Sequence, residues 1–154
     1  MNIKPQSCLY DTDFNAWALG EAQKLKLKQF DRIDLKNLIE EIEDMSKSQR
    51  RGLESRLVVL IMHMLKWQVQ HEKQCNSWKA TIDNQRLQIR KLLKDMPSLK
   101  NSLESIVMDE DNYHRAVLEA IEETSLDRSL FPKELPYTLE QILDNNFYPN
   151  TMPN

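Results

Sequence analysis

Glycine is nearly missing from this 154-residue chain, which has only 2, beside 6 prolines. Tight primed hairpin turns and phosphate-cradling loops both draw on glycine. Its scarcity argues against a hairpin-rich sheet and against a nucleotide-binding loop. It suits long helices, where each glycine costs about 1 kcal/mol relative to alanine. Cysteine is as scarce. Cys8 and Cys75 are the only two; they form no C-x-x-C pair and suggest no disulfide framework. A reducing cytoplasm is the expected compartment. Positive charge is not in excess either. Lys and Arg number 21 against 24 Asp and Glu, a net charge of −3, so no global basic field exists to hold nucleic acid or anionic lipid. The opening "MNIKPQSCLYDTDF" lacks the apolar run of a signal peptide. The most apolar stretch, Leu57 to Leu65, is too short to span a bilayer and is interrupted by His63.

What the chain does have is helical periodicity. Residues 1–10 read as an extended leader. Asp11 or Thr12 can cap a first helix to about Gln29, with Phe14, Trp17, Ala18, Ala22 and Leu25 on one stripe. Asp34 can cap the next, with Leu35, Leu38, Ile39, Ile42 and Met45 as its stripe. The same phase returns at Leu53, Leu57, Leu60 and Met64. One very long helix to about Gln70, or two meeting near Ser46, would each satisfy this pattern. Ser46 with Gln49 fits a capping box and Gly52 weakens the middle, which favours a break or bend at 45–48.

Leu57 to Leu65 is apolar nearly all round, so this helix should be covered on every side and His63 should be buried with it. Asn76 or Ser77 opens a further helix that Pro97 ends. From Ser98 one phase runs through Leu99, Leu103, Ile106, Tyr113 and Val117 to about Thr124. "LFPKELPY" is a proline-punctuated connection. Thr138 with Gln141 is a capping box for a short helix to about Asp144. Residues 149–154 read as a loose tail. The expected fold is all-α: a single-domain bundle over 11–148, with five to six helices around a central apolar helix.

Several of these segments resemble a known family. The order "LIEEIEDM", "SRLVVLIMHMLKW", "PSLK" and "LPYTLEQILD" is similar to the bacterial, largely cyanobacterial, domain of unknown function 29 family, over roughly residues 10–148. His63 to Trp67 and Pro97 to Leu99 are the most specific parts. The resemblance implies an all-helical domain. It implies no established activity and offers no catalytic residues to carry over. At His71 to Cys75, "HEKQC", the chain departs from the family's proline-containing turn.

The candidate sites follow from residue type and spacing. A buried, unpaired imidazole costs about 1–3 kcal/mol, so His63 needs a partner. Glu41 is the expected one, with Arg56, seven residues before His63, and Arg86 completing a buried polar cluster. The planar fork of Arg86 should reach a carboxylate. A sharper reading makes Glu41 and His63 the centre of a metal-dependent enzyme. Asp111 and His114 have the carboxylate-x-x-His spacing of dinuclear iron bundles, which need two such motifs where this chain has one. His71 and Cys75 supply two ligands where structural zinc needs four. Trp67 and Trp78 should be core anchors on either side of "QVQHEKQCNS". Arg50, Arg51, Arg90 and Lys94 are candidate phosphate contacts.

Together these favour a protein-interaction or regulatory module without catalytic chemistry. Its partner would be another protein or a second copy, with no cofactor, no metal and no membrane. A nucleic-acid-associated regulator using the basic residues of 47–56 and 86–94 is the alternative.

Overall fold

The computed structural model describes residues 8–150, and every regular element among them is helical. The α-helices are α1 (Leu9–Thr12), α2 (Phe14–Lys26), α3 (Leu35–Val69), α4 (Asn76–Asp95), α5 (Leu103–Val107), α6 (Glu110–Thr124) and α7 (Leu139–Leu143). Short 3₁₀ turns join several of them. Residues 1–7 and 151–154, most of the expected leader and tail, lie outside the described residues. Leu9 and Tyr10, placed with that leader, form the first turn of α1.

The largest departure from the sequence reading is α3. It runs unbroken for 35 residues, with no break at 45–48. Ser46 and Gln49 are interior residues of a helix and cap nothing. The helix starts where expected: the Asp34 carboxylate accepts from the Asn37 backbone N–H at 3.4 Å. The reverse holds for Ser98 to Thr124, where one continuous phase hides three pieces. A 3₁₀ stretch spans Pro97–Ser102, α5 follows, and the chain breaks at Met108 and Asp109 before α6. Asp109 caps α6 by accepting from the Asp111 N–H at 2.9 Å. Its signal was legible: an aspartate followed by two acids is a helix start.

Contacts gather into two compact units, Met1–Ser48 and Gln49–Asn154. The second holds the aliphatic core. Leu57, Leu60, Ile61, Met64 and Leu65 of α3 are at most 2% exposed, which makes this the central apolar helix the sequence indicates. Ile82, Ile89 and Leu93 of α4, Ala116, Val117 and Ala120 of α6, and Ile142 of α7 pack with them. The capping box opens α7 as expected, with Gln141 N–H donating to Thr138 Oγ1 and Thr138 N–H to Gln141 Oε1.

Among its described residues, the first unit buries a single hydrophobic side chain, Trp17. Its indole N–H donates to Asp34 Oδ2 at 3.1 Å, and Tyr10 and Phe14 pack on its ring. Glu21, also buried, accepts from the Asp34 backbone N–H at 2.8 Å and pairs with Lys24 at 2.6 Å.

Both glycines sit inside helices, Gly20 in α2 and Gly52 in α3. The two left-handed positions that glycine would favour are held instead by Lys28 and Ser125, each at φ 57°. Nothing lies within 4 Å of a Cβ added at Gly52. Gly52→Ala should therefore stabilise the fold by about 1 kcal/mol, raising Tm by about 2–4 °C in thermal denaturation. A lowered Tm would show that α3 is not helical at this position.

Candidate functional site

Three arrangements could carry function: an exposed helix face, a buried arginine, and a cleft at the start of α6.

The exposed face belongs to the first half of α3. Among the described residues, ten of the fourteen large hydrophobics left exposed lie at or before position 48. Four form one stripe at helical spacing: Leu35 (57% exposed), Ile39 (47%), Ile42 (59%) and Met45 (69%). The polar edge of the same segment is the one that meets α1 and α2. Tyr10 Oη donates to Glu41 Oε1 at 2.5 Å. This bond pushes the Tyr10 phenol up to about 12. Asp34 takes the Trp17 indole and the Asn37 amide, at 3.1 and 2.8 Å. These hydrogen bonds, Asn37 foremost, hold its carboxyl below the ordinary value despite partial desolvation. The helix therefore turns a polar edge inward and leaves an apolar one open. A contiguous exposed apolar surface marks a contact site more often than a solvated face.

The buried polar cluster forms differently from the expected one. Glu41 accepts from Tyr10. His63 is half-buried, and its Nδ1 bonds the Val59 carbonyl of its own helix at 2.9 Å. Burial is the main cause holding its pKa below the ordinary value. Arg56 is half-buried and donates to Gln85 Oε1 at 3.3 Å.

The group that does reach a carboxylate is Lys66, which sequence reasoning missed. It is only 4% exposed, pairs with Glu123, and holds its ammonium 4.5 Å from the Trp78 ring centre. A signal was present, because Lys66 continues the segment that is apolar all round. Trp67 and Trp78 are both half-buried, since they flank the turn at one end of the α3–α4 pair; Trp67 packs on Tyr148 at 5.3 Å.

Arg86 is fully buried, and its partners are carbonyls in place of the expected carboxylate. Nε donates to Ile142 O at 2.8 Å and Nη2 to Gln141 O at 3.2 Å. Those carbonyls belong to the C-terminal turn of α7, the negative end of a helix, where cations are stabilised. The Tyr148 ring lies 5.5 Å from its Cζ, while the Tyr148 hydroxyl donates to Asp83. Burial lowers the guanidinium pKa from its ordinary value. No single-sequence pattern links Arg86 to a helix end more than fifty positions away.

The cleft has a volume of about 560 Å³ and is lined by Asp109, Asp111, His114, Arg128, Lys133 and Glu134 among others. Arg128 is held by the Phe131 and Pro132 carbonyls, and Tyr113 Oη donates to Pro132 O. Asp111 and His114 share it, but among the described residues no three His, Cys, Asp or Glu side chains converge as metal ligands would. His71 and Cys75 are both exposed, with no third ligand beside them. Arg50, Arg51, Arg90 and Lys94 are exposed, and none forms an ion pair among the described residues.

The family model named "Domain of unknown function DUF29" matches residues 9–148. The chain belongs to this family. No curated protein and no solved structure matches it. What this DUF29 chain does must therefore be argued from its own surfaces. No helix among the described residues is long and apolar enough to cross a membrane.

Arg86 gives the clearest test of how the second unit is held together. Arg86→Ala removes two charge-assisted hydrogen bonds and leaves a cavity. It should cost about 3–5 kcal/mol in chemical denaturation. A loss below about 1 kcal/mol would show that the α7 end is held by other contacts.

Proposed function

We propose that this protein is an interaction module: it works by binding another polypeptide through the first half of α3, with no chemistry of its own. The observation that carries this is the inverted burial of that segment. Glu41 and Asp34 accept hydrogen bonds from Tyr10 of α1 and Trp17 of α2, while Leu35, Ile39, Ile42 and Met45 remain open to solvent. Leaving a leucine- or isoleucine-sized side chain in water forfeits about 1.5–3 kcal/mol of burial. Four such residues on one face represent binding energy held for a partner. An apolar helix face presented in this way is the half of a helix-in-groove or helix–helix contact that one partner supplies.

The test is a photoreactive amino acid in place of Ile42, activated in the native host and followed by mass spectrometry of the adducts. Covalent adducts to a discrete polypeptide, this chain or another, are expected. Failure to form any protein adduct would overturn the reading.

A second reading keeps nucleic acid as the partner. The observation favouring it is that exposed Arg50, Arg51, Arg90 and Lys94 have no carboxylate partner among the described residues. It requires steeply salt-dependent binding to nucleic acid that substituting these four residues abolishes.

A further inference from the structure

We infer that the partner of the exposed α3 face is a second copy of this chain, paired antiparallel about a two-fold axis passing between Glu40 and Glu41. This rests on the interaction-module reading and names its partner.

The argument is one of register. Leu35, Ile39, Ile42 and Ser46 recur four, three and four apart, the spacing of a coiled-coil seam. Leu38 and Met45 run along one edge of that seam. Lys36 and Glu43 run along the other. All but half-buried Leu38 are exposed. Asp34, Asn37, Glu41 and Asp44 lie on the opposite side of the helix, and with Leu38 they are partly covered. The seam and the Lys36–Glu43 edge are therefore free, and the other edge is open at Met45 and partly open at Leu38.

In an isologous contact, if residue i meets residue j then j meets i. With the axis between positions 40 and 41, Ile39 packs on the partner's Ile42, and Leu38 meets the partner's Met45. Lys36 then meets the partner's Glu43. Each contact occurs twice. Lys36 and Glu43 have no ion-pair partner among the described residues of their own chain, so both are available.

The neighbouring registers fail on charge. Sliding one heptad one way sets Lys36 beside the partner's Lys36. Sliding the other way sets Glu43 beside the partner's Glu43, and Lys36 beside the partner's Arg50. A parallel pairing places Lys36 and Glu43 against the apolar edge, with no opposite charge to meet. Edge charges of this kind select partner and orientation. The remaining acids, Glu40 and Asp44, lie off the seam and do not oppose the match. The contact spans about three turns, so a concentration-dependent monomer–dimer equilibrium is expected, not an obligate dimer.

Sedimentation equilibrium across a dilution series tests this. Wild type should dimerise reversibly, more weakly at high salt. Lys36→Glu and Glu43→Lys should each weaken the dimer roughly tenfold, because each places like charges together twice. The combined Lys36→Glu/Glu43→Lys chain should dimerise as wild type does. Mixing the two single variants should give a heterodimer tighter than either homodimer. Both sites are exposed, and circular dichroism should confirm unchanged helicity in every variant. A chain that stays monomeric at its highest soluble concentration would overturn the proposal. So would a dimer indifferent to the charge reversals, which would place the contact elsewhere. If the Ile42 crosslinker captures only a different polypeptide, self-pairing falls and the interaction reading stands. If it captures none, both fall.

Discussion

A single helix of 35 residues sets the terms for the rest of this structure. At a rise of 1.5 Å per residue it is about 52 Å long. Its longest companion, α4, has 20 residues and reaches about 30 Å. The two halves of α3 belong to different compact units and have different surroundings. In the second half, Leu57 to Leu65 is apolar nearly all round and packs with residues of α4, α6 and α7. The first half has one apolar stripe, and its polar edge takes hydrogen bonds from α1 and α2.

Polar groups secure both halves, by different means. In the first unit, Asp34 gathers the Trp17 indole, the Asn37 amide and, through its backbone N–H, Glu21. Hydrogen bonds to a charged group are worth roughly twice a neutral one, which suits a unit whose described residues include one buried hydrophobic side chain. In the second unit, Arg86 fixes the short helix α7 by holding its last carbonyls. Five residues cannot sustain a helix alone. The capping box at one end and Arg86 at the other give α7 its partners.

Much of this was legible in the sequence. The all-helical class followed from glycine scarcity and from stripes at three-to-four spacing. The central segment Leu57 to Leu65 and the Thr138–Gln141 box were readable because both signals are local. The misreadings share a cause. Ser46 with Gln49 has the residues of a capping box, but a box forms only where the chain leaves the helix, and the continuous phase across Gly52 carried it through. His63 was assigned Glu41 because a buried imidazole needs a partner. The ring finds one in its own helix, at the Val59 carbonyl. Arg86 and Lys66 meet partners more than fifty positions away, which no spacing rule reaches. The apolar stripe at Leu35, Ile39, Ile42 and Met45 was visible, yet its exposure was not. Periodicity says which residues share a face but not whether anything covers it.

That exposure, and the pairing it supports, depend on α3 being one helix. Backbone chemical shifts of Asp44 through Leu53 in solution test this most directly. The account predicts helical Cα shifts for every residue across Met45, Ser46, Lys47 and Ser48. A run of non-helical shifts at those four positions would contradict it.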